Sequence, residues 1–107
     1  MSIQEIEVKD LKAALDGGAK LIDVRETDEY TAGHIPSATS IPLSTITVDF
    51  ERFRSATDLY IVCKSGGRSM RACEFLVDQG IVNVVNVVGG TMAWQTSGNE
   101  VKLGEQP

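Results

Sequence analysis

The residues able to do chemistry in this chain gather around Cys63. The thiol ends an apolar run, Leu59-Tyr60-Ile61-Val62, and opens the segment Cys63-Lys64-Ser65-Gly66-Gly67-Arg68-Ser69. Two adjacent glycines permit backbone angles closed to other residues, so this segment can curl until several N–H groups converge on one centre. Such a curl at the start of a helix makes an anion-binding nest. Lys64, Arg68 and Arg71 follow within eight residues, and no acid intervenes before Glu74. Dipoles and cations so placed favour thiolate over thiol, which is how a cysteine becomes nucleophilic near neutral pH. Cys63 is therefore the candidate nucleophile and Arg68 its electrostatic support. Lys64, Ser65, Gly66, Gly67 and Ser69 are the candidate anion-binding loop. The plainer alternative is a buried structural thiol beneath a helix start with exposed basic residues.

Other polar residues carry two readings each. Lys64 either steers an anion or is a solvated loop lysine. Arg68 either holds a departing anion through its planar fork or pins the loop to an acid such as Asp23 or Glu26. Asp23 and Arg25 close the run Leu21-Ile22-Asp23-Val24 and read as an ion pair that orders loops rather than as proton-transfer groups. His34, in Gly33-His34-Ile35-Pro36, reads as a histidine bonded to backbone at a helix end. Cys73 shares an apolar helix face with Ala72, Leu76 and Val77, which favours burial over a resolving role. Trp94 reads as packing the last helix against the core.

The elements that must position these groups alternate between strand and helix patterns, which predicts an α/β domain around a mostly parallel sheet. Ile6 and Val8 form a first strand candidate, followed by a helix capped by Asp10, with Leu11, Ala14 and Leu15 on one face and Gly17-Gly18 at its end. Leu21 to Val24 read as the second strand. Thr27-Asp28-Glu29-Tyr30 open a helix whose acids suit the dipole and which Gly33 closes. Ile41, before Pro42, is biased to a short third strand. From Ser44 to Arg54 the pattern is ambiguous: Ile46, Phe50 and Phe53 fit a helical stripe, whereas Thr45, Thr47 and Val48 favour strand. Leu59 to Val62 form a fourth strand covered on both faces. A helix runs from Ser69 to a stop at Gly80, Val84 to Val88 form a fifth strand, and Gly89-Gly90 lead into a short last helix.

Composition bounds what the whole can do. A chain of 107 residues is expected to be a single domain, 1–107, ending in a polar tail at 99–107. With 42% hydrophobic and 23% charged residues and a mean hydropathy of -0.04, it can build a core. A net charge of -5 argues against nucleic acid or an anionic membrane as partner. The acidity is concentrated before residue 55, where the balance is -4 against -1 in the remainder. Two cysteines and one histidine complete no four-ligand zinc site. The opening residues lack the basic start and apolar stretch of a signal peptide, so the expected location is the cytoplasm.

Four segments, in order and at ordinary spacing, carry a likeness that none carries alone. They are Leu21-Ile22-Asp23-Val24-Arg25-Glu26, Gly33-His34-Ile35-Pro36-Ser37-Ala38, Cys63 to Ser69, and Gly89-Gly90 with Ala93-Trp94. Over nearly its whole length the chain resembles the rhodanese-like single-domain sulfurtransferases. The resemblance implies a three-layer domain with a five-stranded, mostly parallel sheet and helices on both faces. It also implies a cycle in which Cys63 takes sulfane sulfur from a small anionic donor, such as thiosulfate, polysulfide or a persulfide. The resulting Cys63 persulfide then gives the sulfur to a thiol, or to cyanide in an assay. No cofactor or metal is implied, and a protein acceptor stays open. A sulfur-carrier or redox-regulatory module acting on a protein partner is the alternative. Cysteine-dependent phosphatases and arsenate reductases are a weaker rival, because they space cysteine and arginine one residue further apart than here. Gly67 departs from the family pattern, where many members carry a side chain, often charged.

Overall fold

The computed structural model, which describes residues 2–107, contains five strands, of which three, the central ones, are largely buried. The strands are β1 (Gln4–Ile6), β2 (Lys20–Asp23), β3 (Thr39–Ser40), β4 (Leu59–Val62) and β5 (Val84–Val87). They lie side by side in the order β1-β5-β4-β2-β3, and every pairing is parallel. Parallel strands need crossovers, supplied here by α1 (Val8–Asp16), α2 (Thr27–Ala32), the helical segment 43–53 and α4 (Gly67–Asp78). The segment 43–53 contains α3 (Ile46–Asp49) between two 3-10 turns, and α5 (Gly90–Thr96) follows β5.

Alternation along the strands splits the core into two layers. Ile22 of β2 and Leu59 and Ile61 of β4 face one cluster with Ile46, Phe53, Ala72, Cys73 and Leu76. Leu21, Val62 and Val87 face the other, with Val8, Leu11, Tyr30 and Trp94. The chain is thus a three-layer α/β structure: α3 and α4 cover one face of the sheet, and α1, α2 and α5 the other. In α4 the buried residues Ser69, Ala72, Cys73 and Leu76 fall three and four apart, the spacing of one helix face. Its end is a Schellman turn, in which Ile81 N–H donates to Leu76 O at 2.9 Å and Gly80 N–H to Val77 O at 2.9 Å. Gly80 supplies the left-handed φ of +85° that this turn requires.

Two local expectations are corrected, and one open reading is resolved. The first strand ends at Ile6, and Val8 begins α1 with Glu7 at the N-cap position, so Asp10 lies within the first turn instead of capping it. Val8 and Leu11 are both buried at helical spacing, and that burial outweighs the strand alternation of Ile6 and Val8. The third strand is Thr39–Ser40; Ile41 N–H still donates to Asp23 O at 3.1 Å, but Pro42 has no N–H with which to extend the ladder. Between Ser44 and Arg54 the helical stripe wins: Ile46 and Phe53 are buried, whereas Val48 is 82% exposed. The tail after residue 98 is polar but not loose. His34 and Lys102 form an antiparallel bridge, and the Trp94 indole N–H donates to Glu100 O at 2.7 Å.

Candidate active site

Strand order brings two loops together. From β4 the chain turns through α4 toward β5 on one side, and from β2 it turns through α2 toward β3 on the other. The carboxyl ends of β4 and β2 therefore flank a topological switch point, where open α/β sheets leave a crevice for ligands. Cys63 follows β4 directly, and Glu26 and Glu29 lie in the loop and first turn after β2.

The loop curls back over its own cysteine. Gly66 N–H lies 3.1 Å from Cys63 Sγ and the Ser69 hydroxyl 3.3 Å from it. Burial by itself raises the pKa of the Cys63 thiol. The Ser69 hydroxyl and the N–H groups of Ser69, Gly66 and Ser65 outweigh that effect and leave it lowered. Cys63 is 0% exposed, so the thiol lies beneath the loop that cradles it and not open on the surface. Cys73 is also 0% exposed, but burial with no such donors pushes its pKa up to about 12. The two thiols share one core cluster and differ in chemistry.

Within the loop the two glycines differ. Gly66 has φ of +112°, a left-handed value that lets the chain turn back toward Sγ. Gly67 is the first residue of α4, has no positive φ, and a Cβ there would meet nothing within 4 Å. The expectation that both glycines serve the curl is corrected to Gly66 alone. Lys64 and Ser65 are exposed at the loop tip.

Arg68 is committed to an acid, though not to either of those anticipated. Its Nη1 donates to Glu29 Oε1 at 2.7 Å and its Nη2 to Glu29 Oε2 at 2.9 Å. Asp23 is occupied by Arg25, whose Nη2 donates to Asp23 Oδ2 at 2.8 Å and to Gly33 O at 2.8 Å. Glu26 accepts from the Ser44 hydroxyl at 2.9 Å and caps α2. Glu29 closes that capping box by accepting from Glu26 N–H at 3.1 Å, so one carboxylate both starts α2 and holds Arg68. His34 has Nδ1 2.9 Å from Tyr30 O and Nε2 2.8 Å from Gln106 O, and its ring stacks on Tyr30, so both ring nitrogens are engaged by backbone carbonyls.

Two supports escape a reading of the sequence by motif. Asn86, 2% exposed, has its Oδ1 against the Ser69 hydroxyl, whose single proton it shares with Cys63 Sγ, and donates to Gly66 O at 3.3 Å and to Glu5 Oε2 at 3.0 Å. A lone amide inside Val84-Val85-Asn86-Val87 was a signal available in the sequence, since a buried polar group in an apolar strand needs partners. From behind, the first turn of α5 holds the loop carbonyls. Thr91 N–H donates to Cys63 O at 2.9 Å and Met92 N–H to Lys64 O at 3.0 Å. Gly90 has φ of +60°, and a Cβ there would collide with the Cys63 and Lys64 carbonyl oxygens, so glycine is required for this docking. Among the described residues no three His, Cys, Asp or Glu side chains are grouped to hold a metal ion.

The site is a thiol, inclined to ionise, inside a ring of backbone N–H groups. Such a thiolate can attack an electrophilic sulfur, and the ring can hold the anion that forms. The Rhodanese-like domain family matches residues 7–97. YtwF of Bacillus subtilis, provisionally named a sulfurtransferase, is 39% identical over 97 residues, which cover 89% of this chain and 93% of that protein. A protein of Allochromatium vinosum named sulfurtransferase is 37% identical over 78 residues, 73% of each chain. The crystal structure of a rhodanese-related protein from Thermoplasma volcanium superposes with a TM-score of 0.85 at 31% identity, covering 94% of this chain and 98% of that one. With strand order, cysteine loop and glycine-led α5 in place across 91 matched positions, the chain belongs to the family of rhodanese-like domains.

Proposed function

We propose that the chain is a single-domain sulfurtransferase of the cytoplasm that carries sulfane sulfur on Cys63. The Cys63 thiolate attacks the outer sulfur of the donor. A new S–S bond forms while the donor's own bond to that sulfur breaks, and the electron pair leaves with the departing anion, sulfite when the donor is thiosulfate. An acceptor thiolate, or cyanide, then attacks the terminal persulfide sulfur and returns Cys63 as thiolate. Charge is conserved at both steps and the protein undergoes no net oxidation. The residue-level roles belong to the same proposal: Cys63 is the nucleophile, the N–H groups of 64–69 hold the persulfide anion, and Arg68, expected as electrostatic support, is paired with Glu29 and fixes the head of α4 from which those groups point. Among the described residues no helix is long and apolar enough to cross a membrane.

The observation that carries this reading is the donor set on Sγ. Gly66 N–H lies on Sγ, with the Ser69 hydroxyl 3.3 Å from it, where the thiolate must be anionic to attack and where the anion of the outgoing persulfide sulfur forms one bond further out. Steady-state transfer from thiosulfate to cyanide, followed as thiocyanate, tests it. Cys63→Ser abolishes turnover, because a hydroxyl forms no persulfide, whereas Cys73→Ala retains it. Turnover that survives Cys63→Ser, or Cys63-dependent hydrolysis of an aryl phosphate in its place, overturns the assignment.

A further inference from the structure

The cradle holds two cations, Lys64 and Arg68, and the charge of Arg68 is already matched. Both terminal nitrogens of its guanidinium lie on the two oxygens of Glu29, at 2.7 and 2.9 Å, a fork-to-fork pair about 30% exposed on either side. Glu29 is ionised throughout the neutral range, since the Arg68 guanidinium holds its pKa at about 2. The next cation in the crevice, Arg25, is matched by the buried carboxylate of Asp23. Lys64, exposed at the tip, is the cation of loop 63–69 that has no carboxylate partner among the described residues. Of the loop's two cations, an anion entering over Cys63 therefore meets only Lys64 uncompensated, beside the N–H dipoles.

We propose that Glu29 sets the charge class of the sulfur donor: by neutralising Arg68 it matches the cradle to singly charged sulfane donors, thiosulfonates and alkyl persulfides, over dianionic thiosulfate. This rests on the sulfur-transfer reading of the same site and names its substrate class. The two donor types share one reaction. The thiolate plus methanethiosulfonate gives the Cys63 persulfide and methanesulfinate; the thiolate plus thiosulfate gives the same persulfide and sulfite. The donors are near-isosteric, a methyl group standing where thiosulfate has its second charged oxygen, so they isolate one unit of charge. Glu29 acts through Arg68 and is a positioning residue, not a catalytic one.

The test compares kcat/KM for thiosulfate and for methanethiosulfonate, with cyanide as acceptor, in the wild type and in Glu29→Gln. Glutamine keeps the shape and can still accept from Glu26 N–H and from Arg68, but it releases the arginine's charge. The ratio of thiosulfate to methanethiosulfonate rises by about tenfold in Glu29→Gln, the order expected when one freed charge acts on one extra donor charge across a partly solvated mouth. The gain is steeper at low salt, and it vanishes when Arg68→Gln is added to Glu29→Gln. Glu29→Asp, which keeps the charge, keeps the wild-type ratio. These readings are ratios within one protein, so a modest loss of stability common to both donors does not move them. An unchanged ratio in Glu29→Gln with both donors still turned over overturns the charge-class inference and leaves sulfur transfer standing. Absence of Cys63-dependent transfer from both donors in the wild type overturns the sulfurtransferase reading itself.

Discussion

Gly66, Gly67 and Gly90 look alike in the sequence and differ in what the backbone asks of them. Gly67 occupies an ordinary helical position with open space at its Cβ, so Gly67→Ala leaves the fold intact and adds about 0.5–1 kcal/mol of stability by restricting the unfolded chain. Gly90 combines a left-handed φ with contact against two loop carbonyls, so Gly90→Ala costs at least about 3 kcal/mol. Urea denaturation of the two variants checks both signs. The thiol makes a second residue-level claim. With its pKa lowered by hydrogen bonds to Sγ, Cys63 is alkylated by iodoacetamide with a midpoint below that of a free cysteine, and Ser69→Ala moves the midpoint up. A midpoint unmoved by Ser69→Ala would assign the shift to the backbone alone. The cysteine, the loop and its basic residues were legible in the sequence because they are contiguous. The partner of Arg68 was not, since three acids, Asp23, Glu26 and Glu29, stand at similar distances along the chain, and only the structure shows that the first two are engaged elsewhere.

At the scale of elements, α2 depends on the carboxylates at its start. Glu26 and Glu29 close a capping box, and Glu29 also holds Arg68 at the head of α4, so one side chain ties the first turns of two helices together. The pKa of Glu29 is lowered from 4.5 to about 2 by the hydrogen bonds from Arg68, against the opposing effect of burial. A carboxyl depressed on folding stabilises the folded chain above its unfolded pKa and loses that contribution as pH falls through the folded one. The stability advantage of wild type over Glu29→Gln is therefore full above about pH 4.5 and fades toward about pH 2, measurable by thermal unfolding across that range. A difference that stays constant across the range would mean that the pair adds no stability. The sequence pattern located β4 to the residue and α4 to within two residues, because continuous apolar runs and helical stripes encode burial directly. It misplaced the β1–α1 boundary, where a single buried valine serves either period.

For the whole molecule, what the chain cannot display as a string is which strand lies beside which. Short strands and helical crossovers were enough to predict a parallel α/β sheet, yet the order β1-β5-β4-β2-β3 creates the crevice between β4 and β2 and brings Glu29 to Arg68. The C-terminal residues were likewise legible as polar but not as structure, because their partners are backbone groups. Lys102 pairs with His34, and Gly104 N–H donates to Thr31 O at 2.9 Å. The proposed function rests on one atom, Cys63 Sγ, as the carrier of sulfur. The most direct measurement is intact-mass and peptide analysis after incubation with a sulfane donor, followed by cyanide. The account predicts one added sulfur atom, located on Cys63, removed by cyanide, absent in Cys63→Ser and retained in Cys73→Ala. Sulfur found on Cys73, or a Cys63–Cys73 disulfide as the main product, would contradict it.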